Sequence, residues 1–110
     1  MNKGYHICET YPEFFILPKQ FTEEDLFESR NFRTKNRIPV LSWMNKANGA
    51  TLWRSSQTKG GITQQRCAYD EKLLRLIGEL GGDRLIIFDA RPYLNALANR
   101  VFYFNKFVNS

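Results

Sequence analysis

Residues 85–88 read "LIIF", four apolar side chains in a row between Arg84 and Asp89. A strand with one wet face alternates apolar and polar residues. A short run without alternation fits a strand covered on both faces. Cover on both sides of a strand is what helices flanking a sheet provide, so this run points to an α/β architecture.

The segments around it agree. "YHIC" and "FFILP" read as short strands on either side of "ETYPE", where Pro12 breaks pairing. A helix follows, with Thr22 as N-cap, Asp25 three residues on, and Phe21 and Leu26 placed as a hydrophobic staple. It should run to about Phe32. "RIPVLSW" and "ATLWR" form the arms of a hairpin through "MNKANG", where Asn48-Gly49 tolerates positive φ. "SSQTKGGITQQ" reads as loop. Leu73, Leu74, Ile77 and Leu80 line one face of a helix that Gly81-Gly82 stops. Pro92 can open a last helix, with Leu94, Leu97, Val101, Phe104 and Val108 on one face. The order β-β-α-β-β-α-β-α predicts an α/β fold, a mixed sheet with flanking helices.

A chain of 110 residues fits one domain, and 43% hydrophobic residues are enough for a core. Its 9 Phe and 5 Tyr exceed what so small a core can hide, which suggests a missing neighbour. No run is long and apolar enough to span a membrane, the N-terminus lacks a signal-peptide core, and two isolated cysteines fit a cytoplasmic protein. The +5 charge suits an anionic partner such as nucleic acid, a phosphoinositide or a membrane surface. In "TEEDLFESRNFRTKNR" acids lead and bases trail, as the helix dipole favours, so Arg30, Arg33, Lys35 and Arg37 need not form an anion patch. Trp43 and Trp53 sit in the hairpin arms, where cross-strand core packing is expected rather than base stacking, and no nucleic acid is predicted.

Reactive constellations are missing from this sequence. His6 and Cys8 are two residues apart with no second ligand pair, so no metal or cofactor is expected. A cysteine nucleophile acting on phosphate esters needs a loop of backbone N–H groups and an Arg six residues later. Six residues after Cys8 stands Phe14, and after Cys67, Leu73. His6 is the single histidine, so no His-paired triad can form. The remaining candidate is "FDARPYLNALAN". Asp89 and Arg91 lie beyond the carboxyl end of the expected strand, where open α/β sheets place ligands. Asn95 and Asn99 share one face of the next helix. The two amides can grip neutral hydroxyls or orient a loop without adding charge, or Asp89 and Arg91 can simply tie loops together while Asn99 caps neighbouring backbone.

Five ordered blocks carry a resemblance: "GYHICETYP", "FRTKNRIPVLSW", "RSSQ", "DEKLL" and "DARPYLNALAN". Together they resemble the first part of the myotubularin phosphatase domain, over about Gly4 to Arg100. The resemblance implies part of a cysteine-phosphatase-like fold, within a family acting on phosphatidylinositol 3-phosphate and the 3,5-bisphosphate, some of whose inactive members pair with active relatives. It implies a head-group contact for Asn99, and pocket scaffolding for Asp89, Arg91 and Asn95. Two features depart from the pattern: Thr58 stands where proline is usual, and "VFYFNKFVNS" replaces a glycine-rich acidic segment. Residues 1–110 are therefore expected to form one partial phosphatase domain, truncated or rerouted near its end and non-catalytic as it stands. The alternative is a stand-alone pseudophosphatase-type module that binds anionic phosphoinositide or an active myotubularin, peripheral at membranes. Self-association and cover of the sheet by the apolar tail 101–108 are further expectations.

Overall fold

The computed structural model describes residues 2–59 and 66–91. Helix α1 (Glu23–Ser29) begins as its sequence dictates. The Thr22 hydroxyl accepts from the Asp25 N–H at 3.1 Å, and the Asp25 carboxylate accepts from the Thr22 N–H at 3.0 Å. That reciprocal capping box, with Phe21 and Leu26 both buried beside it, fixes the entry of the chain. The α-helix stops at Ser29 and a 3-10 turn carries it through Phe32.

Helix α2 (Ala68–Leu80) buries Leu73, Leu74, Leu76 and Ile77, while Leu80 at its end stays exposed. Gly82, at φ +72°, turns the chain away. The two helices are clamped by an ion pair between Lys72 and Asp25, 2.6 Å apart. Burial works against the charge on Asp25, but the Lys72 ammonium and the Thr22 bonds outweigh it and hold the carboxyl below its usual range.

Strands β1 (Val40–Met44) and β2 (Thr51–Arg54) form the expected antiparallel hairpin. Gly49 supplies the positive φ of its connection, at +74°. The register slips by one residue between Leu41, paired with Trp53, and Trp43, paired with Leu52. A slip of one residue exchanges the faces of every side chain beyond it. Trp53 therefore packs on the core, whereas Trp43 is 57% exposed, against the expectation that both pack inward.

Ile7, Phe21, Leu26, Ile38, Leu73, Leu76 and Ile77 make the core, with Leu85 packed on its margin. The described residues thus combine two helices with a two-stranded antiparallel sheet, an α/β arrangement.

Three expected strands are absent. "YHIC" cannot extend, because Gly4 and Tyr5 both adopt left-handed backbone inside a 3-10 turn. The segment 14–18 alternates exposed Phe14 and Ile16 with half-buried Phe15 and Leu17. It reaches the hairpin through one bond, from the Leu41 N–H to the Ile16 carbonyl at 3.2 Å, and forms no ladder. Residues 84–90 are neither a strand nor buried on both faces, for Ile86, Ile87 and Phe88 lie exposed with no strand alongside among the described residues. The helix expected from Pro92 and the apolar tail 101–108 lie outside the described residues.

Candidate functional site

The first block is held together by one amide. Asn2 is fully buried and donates to the carbonyls of Cys8 (2.7 Å), Tyr11 (3.2 Å) and Pro12 (3.1 Å). Its carbonyl oxygen accepts from the Ile7 and Cys8 N–H groups at 3.0 and 2.9 Å. One side chain thereby satisfies five backbone groups of a loop that has no ladder of its own. The sequence gives no signal for this role, since its partners are set by the fold of the loop.

That loop is then tied to the second block. The Cys8 thiol, 1% exposed, donates to the Lys35 carbonyl at 3.3 Å. The Tyr11 hydroxyl donates to the Ile38 carbonyl at 2.8 Å, and burial, with Cys8 nearby, pushes its pKa up to about 12. Arg30 donates to the His6 carbonyl at 3.0 Å and lies 4.2 Å over the Phe27 ring. Arg37 donates to the Thr10 hydroxyl at 2.9 Å.

Arg33 connects three blocks. Its Nε and one terminal nitrogen each donate to the Asp70 carboxylate at 2.8 Å, a bidentate pair with Asp70 fully buried. The other terminal nitrogen reaches the Ser56 carbonyl at 2.9 Å and the Ser55 hydroxyl at 3.3 Å. The reading of these arginines as complements of the helix dipole is thus corrected. No basic residue stands in the last turn of α1, and Arg30, Arg33 and Arg37 are fixed in contacts instead.

Asp89 and Arg91 come together as residues that tie loops would, beyond a segment that is not a strand. The Asp89 carboxylate accepts from the Arg91 N–H at 3.1 Å and from its guanidinium, which also donates to the Gln57 side chain at 3.1 Å. The Arg91 guanidinium holds the Asp89 carboxyl below its usual range, and the carboxylate in turn strengthens the charge of Arg91. The fifth block is thereby pinned to the third. Asn95 and Asn99 lie outside the described residues, so neither is placed against this pair.

Among the described residues, no group of three His, Cys, Asp or Glu gathers as metal ligands would, and no helix is long and apolar enough to cross a membrane. A shallow groove lined by Phe15, Ile16, Pro18, Phe21 and Leu26 includes no member of the Asp89–Arg91–Gln57 cluster. With one positioned cation, one acid and one amide, the cluster can orient loops around an anion but holds no nucleophile.

Residues 1–104 match the sequence pattern of a family described as the myotubularin-like phosphatase domain. Myotubularin of Xenopus tropicalis is 42% identical over 102 residues, covering 91% of this chain and 17% of that protein. Myotubularin of Rattus norvegicus is 40% identical over 102 residues, with the same coverage of each, 91% and 17%. Phosphatidylinositol-3,5-bisphosphate 3-phosphatase MTMR2 of Bos taurus is 39% identical over 102 residues, covering 91% of this chain and 16% of its own length. The chain therefore spans about one-sixth of the length of these curated relatives.

Proposed function

The chain belongs to the myotubularin-like phosphatase domain family, and from that premise we propose that it forms a scaffold portion of a phosphoinositide 3-phosphatase domain. It performs no bond-breaking step itself. One relative carries the name of a 3,5-bisphosphate 3-phosphatase, so the substrate class is 3-phosphorylated inositol lipid. The observation that carries the non-catalytic reading concerns the cysteines. Neither has an Arg six residues on, and Cys8 is buried with its thiol donating to a backbone carbonyl. A nucleophilic thiolate needs an exposed, electropositive cradle instead.

On this reading the chain's own residues position rather than react. Arg91 is braced by Asp89 and Gln57, and Asn99 is the residue assigned to the lipid head group. The nucleophile comes from further phosphatase sequence or from an active myotubularin partner, at the cytoplasmic surface of a membrane.

Phosphate release from phosphatidylinositol 3-phosphate vesicles by the purified chain tests this. No release is expected. Turnover, above all turnover lost with Cys8→Ser or Cys67→Ser, places chemistry in this chain and ends the scaffold reading. A second arm measures binding to the same vesicles against charge-matched vesicles lacking the 3-phosphate. A preference that Asn99→Ala removes supports the head-group role, and equal binding to both refutes it.

A further inference from the structure

The outer face of the hairpin has no function in the scaffold network. Because the register slips at Ser42, Trp43 and its partner Leu52 project outward, 57% and 52% exposed. Arg54 follows Leu52 by two residues on the same exposed face of β2, and Lys46 stands exposed in the connecting turn. Exposed apolar side chains at the tip of a hairpin, rimmed by cations, form an amphipathic surface.

The charge around this surface is one-sided. Residues 29–69 contain no Asp or Glu, yet carry eight of the 16 Lys and Arg residues. The hairpin lies in the middle of that acid-free stretch. Arg33 and Arg66 find their carboxylates in Asp70 and Glu71, outside it. Lys46, Arg54 and Lys59 enter none of the ion pairs among the described residues.

We propose that the outer face of this hairpin docks on an anionic lipid bilayer. Trp43 and Leu52 enter the interfacial region, and Lys46 and Arg54 meet the anionic head groups. Tryptophan suits this depth because its ring is apolar and its N–H is polar. The apolar and electrostatic contributions reinforce one another at such an interface. An exposed Leu52 offers a nucleic-acid backbone nothing to pair with, which favours lipid over nucleic acid as the occupant. The proposal deepens the lipid-directed reading above and rests on it for the nearness of a bilayer, but uses no head-group pocket.

Vesicles of phosphatidylcholine with and without phosphatidylserine, free of phosphoinositide, provide the test. The full chain is expected to co-sediment only when phosphatidylserine is present. Reversing two charges with Lys46→Glu and Arg54→Glu weakens binding about tenfold or more, since each basic residue near an anionic surface contributes on the order of 1 kcal/mol. Lys19→Glu, outside the acid-free stretch, changes it much less. Brominated phosphatidylcholine added to the anionic vesicles gives a readout that needs no destabilising variant. Tryptophan emission of the unaltered chain is quenched, quenching persists in Trp53→Phe and disappears in Trp43→Phe. Absence of phosphatidylserine-dependent binding, or binding indifferent to the reversals and without quenching at Trp43, overturns the proposal. So does binding confined to a single-stranded RNA, which assigns the face to nucleic acid. Because these vesicles lack the 3-phosphate, failure here leaves the head-group comparison standing, and success survives its failure.

Discussion

At the scale of single residues, Arg33 shows how an exposed-looking basic cluster becomes internal structure. The residue is 7% exposed, and its guanidinium answers a carboxylate 37 positions away, with two serines completing its bonds. Removing one partner from such a pair leaves an uncompensated buried charge, which costs about 3–5 kcal/mol. Arg33→Ala is therefore expected to lower the urea midpoint by most of the stability of so small a domain. The double change Arg33→Met with Asp70→Leu should recover much of the loss, because apolar side chains of similar volume need no pairing. An unchanged midpoint in Arg33→Ala would show that water already solvates the pair. Neither this pairing nor the role of Asn2 was legible in the sequence, since both depend on partners that only the fold brings near.

At the scale of elements, what the sequence revealed was local and what it concealed was not. The cap of α1, the apolar face of α2 and the glycine of the hairpin turn all rest on contacts within a few residues, and they formed as read except that Leu80 of the α2 face stays exposed. Trp43 was misplaced because period-two alternation assumes an unbroken register, and one slipped residue reversed it. "YHIC" was misread because propensity does not report that two consecutive left-handed residues, held over Asn2, turn the chain. Of the candidate site, a loop tie between Asp89 and Arg91 was legible, but their partner Gln57 was not. The clamp between α1 and α2 supplies a prediction at this scale. The Asp25 carboxyl is held below its unfolded value of 3.8, so its contribution is complete above that value and is lost as pH falls through the lower, folded value. Thermal melts of the wild type should therefore fall steeply below about pH 4. Asp25→Asn should melt lower at pH 7 and lose less on acidification. Parallel pH profiles for the two proteins would place the acid sensitivity elsewhere.

At the scale of the whole molecule, the run that most strongly implied cover on both faces is the one left bare. Ile86, Ile87 and Phe88 are 74%, 54% and 86% exposed, although Leu85 just before them packs against the core. An exposed apolar segment that pairs with no strand among the described residues is a template for pairing with another chain. The chain spans about one-sixth of its relatives' length. On its own it is expected to self-associate through this segment. Sedimentation velocity of the wild type should show association rising with concentration, while Ile86→Ser with Phe88→Ser should run as a monomer. The double variant should keep the wild-type melt, because side chains already in water contribute little to folding. A lowered melt would mean that these residues pack within the chain. A wild type that stays monomeric at every concentration would mean that the run is covered by the chain's own residues, and the sheet completed without a neighbour.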